Sequence, residues 1–191
     1  MKKIGITGGI GSGKTYVSNV FEALGIPVFN SDTESKKLLF SSKGLIRSII
    51  NEFGDDIHED YCLNKKKLAT IVFSDADKLK KLNTLVHPLV KKEFLEWQEK
   101  QKSSYIIKES AILFESNSVK DLDAVICITA PLNLRIDRVK KRDRLSYQEI
   151  INRIENQLSQ EDKEILSDFI IVNDGLQSLL PQILRLHKLF T

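Results

Sequence analysis

Two cysteines in 191 residues, Cys62 and Cys127, are too few for a disulfide framework. Cys127 lies within the apolar run Ala124 to Ile128, where a free thiol behaves as a small buried hydrophobe. No run of 18 consecutive apolar residues occurs, so the sequence offers no membrane-spanning helix. The stretch Met-Lys-Lys-Ile-Gly enters a strand pattern directly and lacks the apolar segment of a secretion signal, so the expected compartment is the cytoplasm. Net charge is only +3, and the cations are mixed among acids rather than gathered in one basic block. That pattern argues for neither nucleic acid nor a membrane surface as partner. Repeats and low-complexity linkers are missing as well. With 29% charged and 41% hydrophobic residues, the class left is a globular protein built on one compact core, with room for a smaller insertion.

What the chain does have is concentrated between Gly8 and Thr15, which read Gly-Gly-Ile-Gly-Ser-Gly-Lys-Thr. The stretch fits the phosphate-binding pattern G-x-x-x-x-G-K-[ST], with Gly8 and Gly13 at the fixed glycines, then Lys14 and Thr15. A tight loop of this kind aims successive backbone N–H groups at phosphate oxygens, and glycine permits the backbone angles and the close approach. Nucleotide contacts are therefore expected along Gly9, Gly11, Ser12, Gly13, Lys14, Thr15 and Tyr16. Lys14 is placed to reach the β- and γ-phosphates, Thr15 to put its hydroxyl on Mg²⁺, and the helix that starts there turns its positive dipole end to the anion. The alternative, a glycine-rich turn with no ligand, has to arise by chance in about one chain in a hundred or fewer. The flanks favour function: Ile4 and Ile6 precede the loop as a strand, and Val17, Val20, Phe21 and Leu24 follow at helical spacing.

Short apolar runs alternate with helical patterns, the mark of parallel βαβ units. The expected strands are Lys3 to Thr7, Pro27 to Asn30, Tyr105 to Glu109, Ala124 to Thr129 and Phe169 to Val172. Gly25 stops the first helix and Pro27 opens the second strand. Between Thr33 and Ser104 the pattern predicts helices without a clear strand, including Asp77 to Leu85 and a separate one from Pro88 to Lys102. A last helix is predicted over Leu176 to Phe190.

Ligands of open α/β sheets bind at the carboxyl edge of the strands. Asp32, just past strand two, reads either as the cap of a helix starting near Thr33 or as a general base for an attacking alcohol. Glu109 ends strand three, as an ordinary strand-end charge or as an acid near a metal. Arg135, Arg138 and Arg142 share one stripe of a helix running from Pro131, beside Leu132, Ile136 and Val139. Such a stripe is either solvated surface or a set of cations over a transferring phosphoryl group, whose transition state spreads negative charge. Ser146 and Glu149 form a capping box for the following helix, and two helices joined by a charged turn make a lid that excludes water.

The chain resembles the dephospho-CoA kinase family over essentially its whole length. The resemblance rests on Ile-Thr-Gly-Gly-Ile-Gly-Ser-Gly-Lys-Thr at 6–15, Gly-Ile-Pro-Val with Asp32 shortly after, His87-Pro88, and Leu-Phe-Glu at 113–115. It continues with Arg-Val-Lys-Lys-Arg-Asp at 138–143, Ile-Glu-Asn-Gln at 154–157 and Ile-Val-Asn-Asp-Gly at 171–175. It implies an α/β fold: a P-loop kinase core with a five-stranded parallel sheet (residues 1–33, 104–130 and 165–191), a helical substrate-binding insertion (34–103) and a helical lid (131–164). It also implies transfer of the γ-phosphate of ATP, with Mg²⁺, to the ribose 3′-hydroxyl of dephospho-CoA, the last step of coenzyme A synthesis, with no obligate protein partner. By matching position, Asp32 is the base, Lys14 and Thr15 hold phosphates and metal with Glu109 beside them, and Arg138 and Arg142 come from the lid. Asn173 and Gly175 meet the ATP base, while His87, Pro88, Leu113, Phe114 and Glu115 line the dephospho-CoA side.

Three departures stand out. The family often has Asp-Ala-Asp where this chain has Asn30-Ser31-Asp32, its strand-three acid is commonly Asp where Glu109 stands, and Tyr16 replaces a common Thr. Other readings are a P-loop kinase for a nucleoside monophosphate or another metabolite alcohol, and a nucleotide-switched binding protein. A GTPase normally carries Asn-Lys-x-Asp, and Asn64-Lys65-Lys66-Lys67 lacks the acid.

Overall fold

A computed structural model of the chain describes residues 1–59 and 62–191. These divide into two compact units, Met1–Asn30 with Lys100–Thr191, and Ser31–Glu99.

The first unit is built on a sheet of five parallel strands: β1 (Lys2–Thr7), β2 (Val28–Asn30), β5 (Tyr105–Glu109), β6 (Ala124–Thr129) and β7 (Phe169–Val172), in the order β2-β5-β1-β6-β7. The strands are continuous apolar runs because helices cover the sheet, so both faces need hydrophobic side chains. The expected α/β class is therefore what the chain adopts. Helix α1 (Lys14–Ala23) buries Val17 and Phe21 against the strands and stops at Gly25, whose φ is 83° and whose N–H bonds the Glu22 carbonyl at 2.9 Å. The chain continues through α6 (Leu132–Asp143), α7 (Tyr147–Glu155) and α8 (Gln160–Ile165) to α9 (Leu179–Phe190). Ile183, Leu186 and Phe190 of α9 join the same core. At its centre Tyr105 is fully buried, edge-on to Phe21 and Phe190, with its hydroxyl 2.7 Å from His187 Nδ1. Burial pushes the Tyr105 phenol above its ordinary pKa.

Register sets up the site. Asn30 of β2 stands opposite Glu109 of β5, Ile6 of β1 pairs with both Glu109 and Ile126, and Thr7 pairs with Cys127. The carboxyl ends of the strands thus converge on one edge, from which the loop after β1 departs.

The second unit contains α2 (Ser31–Ser41), α3 (Lys43–Phe53), a hairpin of β3 (His58–Glu59) and β4 (Cys62–Leu63), then α4 (Lys65–Phe73) and α5 (Ala76–Gln98). Side chains cap three of these helices: Ser42 accepts from Leu45 N, Asn64 from Lys67 N, and Asp75 from Asp77 N and Lys78 N. Among the described residues no helix is long and apolar enough to cross a membrane.

Several sequence expectations need correction. The second unit carries a short antiparallel hairpin where no strand was predicted, since two-residue strands are too brief to show alternation. The break expected before Pro88 does not occur, and α5 runs through it. An interior proline costs about 3 kcal/mol, and the buried row Leu82, Val86, Val90 and Phe94 along the helix offsets that cost. The last helix begins at Leu179 rather than Leu176, because the Asp174 carboxylate draws the Leu176 and Gln177 N–H groups into a turn at 2.9 Å each. Those two bonds, Gln177 first, hold the Asp174 carboxyl below its ordinary pKa.

Candidate active site

The loop between β1 and α1 is shaped by what surrounds it. Gly8 has φ 144°, and a Cβ there would run into the Ile128 carbonyl of the neighbouring strand. Gly13 has φ 99° as the N-cap of α1, and a Cβ there would strike the Asn173 amide. The first turn of α1 has N–H groups that no carbonyl within the helix can satisfy. Ser12 N–H closes the loop onto Gly9 O at 3.1 Å, while the Ser12 hydroxyl is buried with no hydrogen-bond partner among the described residues.

Lys14 is 8% exposed and folds its ammonium onto the Gly8 and Gly9 carbonyls at 2.9 and 3.2 Å. Next to it the Thr15 hydroxyl donates to Glu109 Oε1 at 2.9 Å, and Asn30 Nδ2 donates to Glu109 Oε2 at 2.8 Å. Glu109 is 3% exposed, so strand pairing and two hydrogen bonds fix a buried carboxylate beneath the head of α1. Asn30, which stands where the related motif often has an acid, serves as a donor to that carboxylate.

The three arginines of α6 do three different things. Arg135 is buried, with Nε donating to Ile10 O at 3.0 Å and its guanidinium against Gly9; desolvation lowers its pKa. Arg138 spans the Gly11 and Ser12 carbonyls, at 3.4 Å each, and Asn173, whose backbone O and Oδ1 it reaches at 3.2 and 3.1 Å. Asn173 also donates through Nδ2 to Ser12 O at 2.7 Å. Arg142 is 63% exposed and holds Asp143 through two bonds of 2.7 and 2.8 Å, which raise its pKa. Ile136 and Val139 of α6 pack with Ile150 of α7, and Ile10 at the loop's tip packs against this cluster. The capping box forms as read: Ser146 accepts from Glu149 N, and the Glu149 carboxylate accepts from Ser146 N–H.

Lys14, Thr15, Glu109, Arg138 and Asn173 therefore converge around the loop. Gly175 lies in the turn after β7 with φ 84°, and Tyr16 is 62% exposed. Leu113 is fully buried, Phe114 half-buried, and Glu115 is ion-paired to Lys163 at 2.9 Å. Asp32, His87 and Pro88 belong to the second unit. Asp32 is the second residue of α2 and half-buried, inside the first turn rather than at a cap, where its charge complements the helix dipole. His87 and Pro88 sit in the middle of α5.

Gln157 belongs to the Ile-Glu-Asn-Gln stretch quoted above but had no role assigned to it, and Gln160 was not named at all. Their side-chain oxygens accept from the N–H groups of Ile10 and Gly9 at 3.2 and 2.9 Å, fixing the first half of the loop. Lys163, which is fully buried, was not named either. Gln160 and Lys163 are three apart on α8 and share a face, but nothing in this polar stretch announces that they are buried.

A glycine loop joining the first strand of a parallel sheet to its first helix, with a hydroxyl and a carboxylate paired at that helix's head, defines a P-loop phosphotransferase. The family model for dephospho-CoA kinase matches residues 2–178. A dephospho-CoA kinase of Bacteroides fragilis is 41% identical over 185 residues, covering 96% of this chain and 90% of that protein. A Thermus thermophilus crystal structure is 29% identical with a TM-score of 0.83, over 98% of this chain and 95% of the other. The dephospho-CoA kinase from Campylobacter jejuni is 25% identical with a TM-score of 0.68, over 98% and 96%. The chain belongs to the dephospho-CoA kinase family and is an ATP-dependent phosphotransferase.

Proposed function

We propose that the chain moves the γ-phosphoryl group of ATP to the ribose 3′-hydroxyl of dephospho-CoA, giving coenzyme A and ADP. The observation that carries this reading is the buried Thr15–Glu109–Asn30 chain under the glycine loop. One hydroxyl and one carboxylate make a hard-oxygen donor set, which suits Mg²⁺, a cation that keeps water and nucleotide phosphates as its other ligands. Bound there, Mg²⁺ would neutralise charge building on the phosphate oxygens. The orphaned Ser12 hydroxyl and the first-turn N–H groups of α1 fit an anion in the loop.

In this reading Lys14 trades the Gly8 and Gly9 carbonyls for phosphate oxygens, since a charged acceptor makes the stronger hydrogen bond. Gly9, Gly11, Ser12, Gly13 and Tyr16 complete the nucleotide side, with Asn173 and Gly175 at the base. Arg138 ties that side to α6, and Arg142 exchanges Asp143 for the transferring phosphoryl group as the lid, residues 131–164, closes at its α6–α7 turn while its far end, at α8, stays anchored through Gln160 and Lys163. Asp32 takes the proton of the attacking hydroxyl. Contacts to dephospho-CoA are assigned to His87 and Pro88 of the insertion, residues 34–103, and to Leu113, Phe114 and Glu115 after β5. The enzyme works in the cytoplasm on small molecules, without nucleic acid, membrane or obligate protein partner.

The test is ADP release with Mg²⁺ and ATP, measured with and without dephospho-CoA, and mass spectrometry of the product. Turnover far above acceptor-free hydrolysis is expected, because the site must keep water out until the acceptor is bound. Robust phosphorylation of a nucleoside monophosphate, with none of dephospho-CoA, would move the chain's substrate to that class.

A further inference from the structure

Lys163 is an ammonium with no exposed surface, at a place where a charge is costly. Its Nζ donates to the Ala111 carbonyl at 2.5 Å and pairs with Glu115 Oε1 at 2.9 Å. The same Glu115 oxygen accepts from Leu158 N–H at 2.9 Å, just before α8, so the turn that follows β5 is bound to both ends of one short segment. One helical turn earlier, Gln160 is 8% exposed and accepts from Gly9 N–H at 2.9 Å, while its Nε2 lies against Cys127 Sγ and Ile128 O at 3.2 and 3.4 Å. Residues three apart share a helix face. One face of α8 therefore grips the nucleotide loop through Gln160 and the turn carrying Leu113, Phe114 and Glu115 through Lys163.

We propose that Gln160 and Lys163 are positioning residues for phosphoryl transfer, with α8 as a crosspiece that sets the nucleotide loop against the turn lining the acceptor. The proposal rests on the reading above that this turn lines the acceptor. Neither side chain needs to touch a reacting atom. Both act through the groups they hold: the Gly9 amide at the mouth of the phosphate loop, and Glu115 with the Ala111 carbonyl on the other side. Transfer between two bound substrates depends steeply on their alignment, and a shift near 1 Å lowers rate by about 10²-fold. A device that fixes the two loops to each other would therefore affect transfer to the acceptor more than binding of ATP.

The experiment compares native protein with Lys163→Met and Gln160→Leu. Each is scored by the ratio of dephospho-CoA-stimulated to acceptor-free ADP release, with KM measured separately for ATP and for dephospho-CoA. The expected result is a fall in that ratio of roughly 10- to 100-fold for Lys163→Met, a higher KM for dephospho-CoA and a near-native KM for ATP. Equal loss of transfer and of acceptor-free hydrolysis, as from a smaller folded fraction, would overturn the proposal, and so would a native ratio. If Lys163→Met does not fold, Gln160→Leu decides, and a native ratio there rejects the crosspiece. A native enzyme that does not phosphorylate dephospho-CoA at all rejects the functional reading itself, an outcome visible before any variant is made.

Discussion

Gly13 shows how much a single position carries. Its φ of 99° is unfavourable to residues with a side chain, and a Cβ there would collide with the Asn173 amide that holds Ser12 O and Arg138. Gly13→Ala should therefore cost about 1–2 kcal/mol in left-handed backbone strain alone. Moving Asn173 should also weaken ATP binding. Thermal unfolding and nucleotide titration check both, and an alanine variant with native stability and affinity would contradict the geometry. At Asp32 the expectation runs the other way. Asn keeps the size of the side chain inside the first turn of α2 but cannot take a proton, so Asp32→Asn should lower turnover by roughly 10²-fold or more with little change in melting temperature. Lost stability with surviving turnover would make Asp32 a helix residue only. Residues whose place follows from local sequence, such as the loop glycines, Lys14 and Thr15, were legible in the sequence. Gln160 and Lys163 were not, because Ser-Gln-Glu-Asp-Lys-Glu reads as a solvated helix face and the burial of its polar side chains is decided by distant parts of the chain.

Elements show the same division. β5, β6 and β7 have the bounds expected of them; in β5 and β6, buried almost throughout, composition writes the length directly, while β7 at the sheet edge leaves Ile170 exposed. The hairpin of β3 and β4 and the passage of α5 through Pro88 were hidden, as both depend on tertiary contacts outweighing a local rule. The start of α7 was plain, because a capping box is a local device. The Ser146 hydroxyl and N–H hold the Glu149 carboxyl below its ordinary pKa of 4.5. A group depressed on folding stabilises above its unfolded pKa and loses that contribution as pH falls through the folded value. The first turn of α7 should thus loosen only in acid below the ordinary carboxylate range. An NMR titration should place the Glu149 midpoint below 4.5, and Ser146→Ala should return it upward. An unchanged midpoint in that variant would remove the capping box as the cause.

For the whole molecule the informative fact is that the proposed ligand groups fall into two compact units. The loop, Glu109, Arg138 and Asn173 lie in Met1–Asn30 with Lys100–Thr191, whereas Asp32, His87 and Pro88 lie in Ser31–Glu99. Nucleotide and acceptor should accordingly leave separate marks on backbone protection, since a ligand suppresses opening of the segments it holds. With Mg²⁺ and a non-hydrolysable ATP analogue, hydrogen exchange should slow in the loop, in the first turn of α1 and in α6, whose Arg138 bonds the loop carbonyls. It should slow in α8 as well, through the bond from Gly9 N–H to Gln160. Protection around His87 and Pro88 in α5 should change when dephospho-CoA is added, and little with the analogue alone. Adenosine monophosphate carries the acceptor's adenosine without its long arm, so it should protect α5 less at equal concentration and serve as a poor acceptor if remote binding energy helps drive the proposed closure. Protection of α5 by the ATP analogue alone, with none added by dephospho-CoA, would place the acceptor elsewhere and remove Ser31–Glu99 from the substrate site.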